Sequence, residues 1–339
     1  YQPAEDSYFF QKFVRRYATG RVLDVGTGSG IQALTAMGVP SVREVVALDI
    51  NPKAVEALKQ EIEKRKLRKI KAVKSDLFEA VEGSFNVVIF NPPYLPQDKG
   101  IEDKAIYGGK KGWEISERFF KDVSNHLFPD GIVLFLFSSL TNKQKIEEIL
   151  EHNLLQWEEL GREKIAFEEL FVYRITKTPL LRQLEGKLLR NVHYFAEGKR
   201  GIVYTAQFDK SLVIKKQIPM KRRTITVAIK VKKKDSKSTD AIASEVHWLK
   251  VLNERAIGPR MMFSGEDYVA YEFAEGEYIE EWLPKASRED IQKVLKQVFQ
   301  QCYVMDKLQV NKEEMHHPLK HIIVDTNGNA TLIDFERCY

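Results

Sequence analysis

Between Val22 and Gly30 the chain reads Val-Leu-Asp-Val-Gly-Thr-Gly-Ser-Gly, a buried-strand run leading straight into a glycine-rich turn. Few folds accept such a segment, because it needs a strand before it, a helix after it and a ligand close to its backbone. The neighbouring pattern supplies the first two. Residues 21–25, 45–50, 85–90, 131–137 and 168–175 read as strands, and 31–37 and 52–66 as helices. The second helix carries a proline at its start and Glu/Lys pairs along its face. Strands alternating with helices imply a parallel sheet covered on both faces, so residues 1–177 are expected to form an α/β domain with a doubly wound sheet.

The chain is 339 residues long, more than that one domain uses, and a prior of about 150 residues per domain leaves room for a second. Leu180, Leu181, Leu184 and Leu188 recur at helical spacing, which predicts a connecting helix over 178–190. From 191 to 339 the pattern changes to hairpins, a helix around 243–252 and later strand pairs, an α+β domain. With hydrophobic residues at 43% and charged residues at 30%, the chain is no disordered tail or collagen. Its longest apolar run, Ile132 to Phe137, falls far short of the roughly 20 residues of a membrane span. No secretion signal is visible at Tyr1, and no membrane association is expected. Cys302 and Cys338 are too few for a disulfide framework or an unaided four-ligand zinc site. The expected location is cytoplasmic. Because the chain starts at Tyr1 and not at Met, short terminal segments are expected to be missing.

The net charge of +5 is unevenly spread. Residues 1–177 hold 26 Lys+Arg and 26 Asp+Glu, residues 178–250 hold 17 and 6, and residues 251–339 hold 10 and 16. A basic block between a neutral domain and an acidic end suits a polyanion such as RNA; it also suits the solvated face of a Lys/Glu-rich, heat-adapted protein.

The glycine turn makes Gly26, Gly28 and Gly30, with Asp24 before them, candidates for holding a nucleotide-like ligand. Asp49 closes the next strand, 19 residues after Gly30, where a carboxylate can accept from ribose hydroxyls. NAD fits that much equally well. The distinguishing element is Asn91-Pro92-Pro93-Tyr94, directly after the strand at 85–90. An asparagine amide both donates and accepts, so it can hold a planar NH2 group; the prolines fix the turn, and Tyr94 offers a ring face. A plain proline turn capping a strand is the alternative.

Asn-Pro-Pro-Tyr after the fourth strand resembles the signature of S-adenosylmethionine methyltransferases that act on a side-chain amide or an exocyclic base nitrogen. Pro3-Ala4-Glu5-Asp6-Ser7, Gly108-Gly109-Lys110-Lys111-Gly112-Trp113-Glu114 and Phe167-Glu168-Glu169-Leu170 are similar to the HemK-type glutamine methyltransferases, in the short branch that modifies release factors. The resemblance covers residues 1–177 and implies a Rossmann-like class I methyltransferase. It implies S-adenosylmethionine bound by Gly26, Gly28 and Asp49, with Asp76 near the adenine. Asn91, Pro92 and Tyr94 would hold the target nitrogen of a release factor or other translation protein. It also implies a small zinc-containing activator protein as partner. Adenine in DNA or RNA is the rival substrate.

A second constellation follows. Val227-Ala228-Ile229-Lys230 sits in a strand-rich context, and Glu245 follows 15 residues later in a predicted helix. That is the pattern of a strand lysine on ATP phosphates and a helix glutamate orienting it. Gly198 and Gly201 bracket a turn able to cover phosphates, and Tyr268 to Gly276, with Glu272, reads as the adenine-holding strand and hinge. Asp334, in Leu-Ile-Asp-Phe-Glu, stands where kinases hold a metal ion. The catalytic loop departs from the pattern. Counting back from the strand after it puts His321 at the metal-binding asparagine and His316 at the catalytic aspartate. Aligning Leu319-Lys320 with the kinase Leu-Lys puts Pro318 there instead. Either the domain is a pseudokinase, or a histidine is the base, with His316 or His317 the candidates and Lys320 on the transferred phosphate. The histidines are equally readable as structural or as metal ligands.

Residues 191–339 resemble the small archaeal kinases related to the RIO and Kae-associated kinases, notably those with a His-Pro-Leu-Lys-His loop and an Ile-Asp-Phe-Glu-Arg ending. The resemblance implies a reduced protein-kinase-like α+β domain with a small lobe over about 191–270 and a large lobe over about 271–339. It implies ATP and Mg2+ as cofactors and, in that lineage, a tRNA ribose 2′-hydroxyl as acceptor. Lys215, Lys216, Arg222, Arg223 and Lys233 are then candidates for the tRNA backbone. A serine/threonine protein kinase and an inactive regulatory pseudokinase remain the alternatives.

Overall fold

The computed structural model describes residues 3–94, 109–165, 168–198, 200–209, 224–233 and 240–339. Two compact units divide the chain, Tyr1–Lys187 and Leu188–Tyr339.

The first unit runs α1 (Glu5–Tyr17), β1 (Gly20–Val25), α2 (Ile31–Met37), β2 (Val42–Asp49), α3 (Pro52–Lys64), β3 (Ile70–Lys74), β4 (Phe85–Phe90), α4 (Glu114–Asp122), β5 (Leu127–Ser138), α5 (Lys143–His152), β6 (Leu155–Ile165), β7 (Glu168–Lys177) and α6 (Pro179–Gly186). The strands form one seven-stranded sheet in the order β3-β2-β1-β4-β5-β7-β6. Strands β1 to β5 pair in parallel, and β7 enters antiparallel between β5 and β6. This is the doubly wound α/β sheet the alternation predicts. Central strands are buried almost throughout, because helices cover both faces. On one face Phe10 and Val14 of α1 join Ala33 and Ala36 of α2 against β1, β2 and β4. Elsewhere in the unit Phe90 stacks on Phe119 with ring centroids 3.9 Å apart, and Phe120 packs edge-on against Phe135.

Helix α3 starts where Pro52 predicts, with the Asn51 side chain accepting from the Lys53 amide at 3.0 Å. Two strands escaped the sequence reading, β3 and β6. Both are sheet edges, where a solvated side replaces the unbroken apolar run with alternation. Helix α6 is shorter than the expected 178–190: it ends at Gly186, Leu188 takes a left-handed φ of 65°, and a strand starts at Leu189. It also belongs to the first unit, since Leu181 and Leu184 are buried and Lys177 is clamped to Glu185 at 2.7 Å and to the Leu127 carbonyl at 3.0 Å.

The second unit contains β8 (Leu189–Glu197), β9 (Gly201–Asp209), β10 (Thr224–Lys232), α7 (Ala241–Asn253), β11 (Met261–Ser264) and β12 (Tyr268–Glu272). After these come β13 (Glu277–Tyr278), α8 (Ile279–Trp282), α9 (Arg288–Lys307), β14 (Ile322–Val324) and β15 (Ala330–Leu332). An antiparallel sheet of order β11-β12-β10-β9-β8 is followed by a small sheet of order β13-β14-β15. Leu249 and Leu252 of α7 share a buried cluster with Val298 of α9, Val324 and Phe335. None of the described helices is long and apolar enough to cross a membrane.

Candidate functional site

In the first unit, sheet topology assembles the site. Strands β1 and β4 are adjacent and parallel, with Val25 opposite Phe90, so Gly26 and Asn91 leave the same sheet edge side by side. Asp49 ends β2 on the other side of β1, where Val25 lies opposite Leu48. The helix after β1 crosses toward β2, while the chain reaches β4 only later; β1/β4 is therefore the switch point of the sheet, where such folds bind ligands.

The glycine turn is tightly built. Gly26, Gly28 and Gly30 adopt φ of 69°, 52° and 80°, where side chains are strained. The Gly28 amide donates to Asp49 Oδ2 at 2.8 Å, and the Asn51 amide to Asp49 Oδ1 at 2.8 Å, fixing the carboxylate at the strand end. A Cβ on Gly26 would meet nothing within 4 Å, so this backbone faces open space, as a cradle for a bound ligand requires. A Cβ on Gly30 would come within 2.7 Å of Leu58 Cδ1; its bareness serves the packing of α3. Asp24 is fully buried and accepts from the Thr27 hydroxyl at 2.6 Å and the Ala33 amide at 3.1 Å. It ties the turn to α2, and burial pushes its carboxyl up to about 7 against the pull of those two donors. Asp76 forms an ion pair with Arg118 at 2.9 Å.

Asn91 donates from Nδ2 to Asp6 Oδ2 at 2.9 Å, across 85 positions of sequence. Its Oδ1 is buried and accepts nothing from the described residues. Pro92 is buried, Tyr94 packs on the core beneath α1 and α2, and the Tyr94 carbonyl accepts from the Thr141 hydroxyl at 3.1 Å. Asp6 is the residue the motif reading missed as a member of the site. It lies in the Pro-Ala-Glu-Asp-Ser segment, but nothing local says that its carboxylate reaches the end of β4.

The fold and this site define a Rossmann-like, S-adenosylmethionine-dependent methyltransferase in the first half of the chain. Residues 6–166 match the methyltransferase small domain. A Methanocaldococcus jannaschii protein bearing the name putative protein N5-glutamine methyltransferase is 38% identical over 177 residues, 51% of this chain and 89% of that protein. A Deinococcus radiodurans release factor glutamine methyltransferase is 32% identical over 36% of this chain and 46% of its own. Human methyltransferase HEMK2 is 28% identical over 52% of this chain and 90% of its own. Among solved structures, the E. cuniculi Mtq2–Trm112 complex, titled as responsible for methylating eRF1, is 27% identical with a TM-score of 0.42, covering 52% of this chain and 98% of that one. Through its first unit the chain belongs to the HemK-type methyltransferases.

The second unit gathers another group. Lys230 on β10 lies 2.7 Å from Glu245 of α7, 2.7 Å from Asp334 and 2.9 Å from Glu336. Burial works to lower the Lys230 pKa, but the three carboxylates outweigh it and hold the ammonium well above the ordinary lysine value. Asp334 is likewise pushed up by burial and pulled further down by Lys230. Wholly buried Glu245 stays raised by its burial. Asp334 adopts a left-handed φ of 65°, a strained backbone of the kind concentrated at functional sites. The structure brings together Lys230, Glu245 and Asp334, which the sequence pattern groups, and adds three more residues. Arg200, in the turn between Gly198 and Gly201, bonds Glu336 at 2.5 Å; Lys312, fully buried, bonds the Asp334 carbonyl and lies over the Phe335 ring. A Cβ on Gly201 would press to 2.9 Å on the Val231 carbonyl, so the turn can lie on β10 only because that residue is bare.

Of the other expected members, His321 borders this group. Glu272 pairs with Arg260, and its backbone amide donates to the Arg260 carbonyl at 2.9 Å. His316, His317 and Lys320 are exposed; the two histidine rings lie 4.3 Å apart, and His316 Nδ1 bonds the Glu313 carbonyl. His321 Nδ1 is buried without a hydrogen-bond partner among the described residues, 3.8 Å from Asp334 Oδ2. Burial and then Lys312 hold its pKa below the ordinary histidine value. Lys233 is ion-paired with Glu197. Lys215, Lys216, Arg222 and Arg223 lie outside the described residues.

Proposed function

We propose that the first unit methylates the side-chain amide of a glutamine in a translation factor, with a release factor as the leading acceptor. One observation carries this reading: the Asn91 amide at the switch point, beside the Gly26 cradle, in a unit whose sequence is 38% identical over 177 residues to a protein named as a putative N5-glutamine methyltransferase. Gly26, Gly28 and Asp49 would hold the cofactor, with Asp76 nearer its adenine. S-adenosylmethionine, when bound, supplies a methyl group on a positively charged sulfur. Asn91 then accepts from an N–H of the target NH2 and turns its nitrogen toward that methyl, while Pro92 and Tyr94 shape the slot. The nitrogen sheds one proton to solvent. A small zinc-containing activator protein is the proposed partner, from the sequence resemblance.

We infer for the second unit an ATP-dependent phosphotransferase, favoured by the Lys230–Glu245–Asp334 cluster beneath the Gly198–Gly201 turn. Lys230 would take the phosphates of ATP. Carboxylates suit Mg2+ better than imidazole does, so Asp334 and Glu336 are better ligands than His321. Its Nδ1 held by a carbonyl, His316 keeps Nε2 as the acceptor atom of the neutral ring, and so is preferred to His317 as base. The proposed acceptor is a tRNA ribose 2′-hydroxyl. The chain would thus be bifunctional.

Incubation with labelled ATP and labelled S-adenosylmethionine, against tRNA and release factor separately and with the activator present, tests both halves. Methyl label is expected on release factor and phosphate on tRNA. Methyl label on nucleic acid, or phosphate on protein serine or threonine, would replace the respective reading. ATP bound without turnover would make the second unit a regulatory pseudokinase.

A further inference from the structure

We infer that Asp6 is a positioning residue for methyl transfer: it fixes the Asn91 amide so that its oxygen is turned away from Asp6 and left as the acceptor for the target nitrogen. The inference rests on the placement of Asn91 in the amide-methylating site proposed above, and goes beyond it in assigning Asp6.

The chemistry of the pair decides the orientation. A carboxylate only accepts hydrogen bonds, so of the two ends of the Asn91 amide only Nδ2 can face Asp6 Oδ2, at 2.9 Å. Turning the amide over would set two oxygens against each other in a buried place. One of the two Nδ2 hydrogens is committed in this way, and the buried Oδ1, which takes no bond from the described residues, is the acceptor left for a substrate. It can only accept. The site therefore requires an N–H on the target, as an amide or exocyclic amine supplies, and pairs badly with a carboxylate or a carbonyl. The negative charge on Asp6 polarises the amide and makes Oδ1 a stronger acceptor.

Asp6 is itself held in place. It is buried, at 6% exposure, in the first turn of α1, where the helix end favours a negative side chain. The neighbouring Ser7 hydroxyl donates to Asp6 Oδ1 at 3.3 Å, and the Ser7 carbonyl accepts from Gln32 Nε2 of α2 at 2.9 Å. Gln11 reaches Thr35 from α1 to α2 at 2.6 Å. The helix that carries Asp6 is thus bolted to the helix that follows the glycine turn, and the polar side of the amide slot is referred to the same element as the cofactor cradle.

The test uses the whole chain as Asp6→Leu, which keeps the shape of the side chain and removes its acceptors, with Asp6→Glu as the conservative variant, and two readouts. One is the Asn91 side-chain amide resonance with S-adenosylhomocysteine bound. In wild type one amide proton is expected downfield and protected from solvent exchange; in Asp6→Leu it should lose both properties. The other is methylation of release factor. Asp6→Leu should lower kcat roughly 10- to 100-fold, as losing a hydrogen bond to a charged group does, with cofactor affinity unchanged and part of the rate restored in Asp6→Glu. Unchanged Asn91 resonances and unchanged kcat in Asp6→Leu would overturn the proposal. So would a rate loss matched by lost cofactor binding and not relieved in Asp6→Glu, since that is what a purely structural role gives. If wild type methylates no release factor, the acceptor reading fails, and the resonance alone still decides about Asp6.

Discussion

Lys230 and Asp334 stand 104 positions apart in the chain and 2.7 Å apart in space. Around them Glu245, Glu336 and Arg200 complete a cluster of three carboxylates and two cations. Lys230 is its hub, the only cation that touches all three acids among the described residues.

Replacing that hub by an uncharged side chain leaves three carboxylates crowded together. Lys230→Met is expected to abolish ATP-dependent labelling and to destabilise the second unit by about 3–5 kcal/mol, the cost of stranding a buried charge. Thermal unfolding and phosphate transfer check both. A variant as stable as wild type would show that the ion pairs are not formed in solution.

His316 and His317 differ in one respect that kinetics can read. If His316 Nε2 is the base, His316→Ala should slow phosphate transfer by about 10²–10⁴-fold, the usual worth of a general base, while His317→Ala changes it little. Equal, small effects of both would place the base elsewhere.

Asp24 supplies a pH signature. Its carboxyl is pushed by burial from an ordinary 3.8 to about 7. Between those values the folded state holds a proton that the unfolded chain has released, so this group makes stability fall as pH rises through that window. In Asp24→Asn the amide oxygen can still accept from Thr27 and Ala33, and the slope is removed. Plotting Tm against pH for both proteins should show the variant gaining on wild type from about pH 4 to about 7. Parallel curves would mean Asp24 titrates normally.

Lys177 tests the closing of the first unit. Its side chain is 2% exposed and clamps Glu185 of α6. Lys177→Met is expected to cost about 3 kcal/mol, because it removes the buried ammonium shared by Glu185 and the Leu127 carbonyl. Denaturant unfolding measures it. Lys177→Met with Glu185→Leu should recover most of the loss, since an apolar pair of similar volume replaces a buried ion pair at little cost.

What could be read from the sequence was what is local in it. The run from Val22 to Gly30, the proline at the start of α3 and the apolar block of 85–90 each carry their conformation in a few consecutive residues. They were sufficient for the doubly wound sheet and for the placement of Gly26, Asp49 and Asn91 at strand ends, since a strand that enters a glycine or proline turn must end there. Spacing also joined Lys230 to Glu245 and Asp334. Edge strands β3 and β6 were not legible, because a half-solvated strand mixes polar with apolar residues as a loop does.

Tertiary structure alone decided which charges meet. Asp6 reaches Asn91, Arg200 reaches Glu336, and Lys312 is buried under Asp334. A charged side chain in a sequence states its sign and not its partner; the partner is settled when distant strands and helices pack, and burial then makes each pairing obligatory.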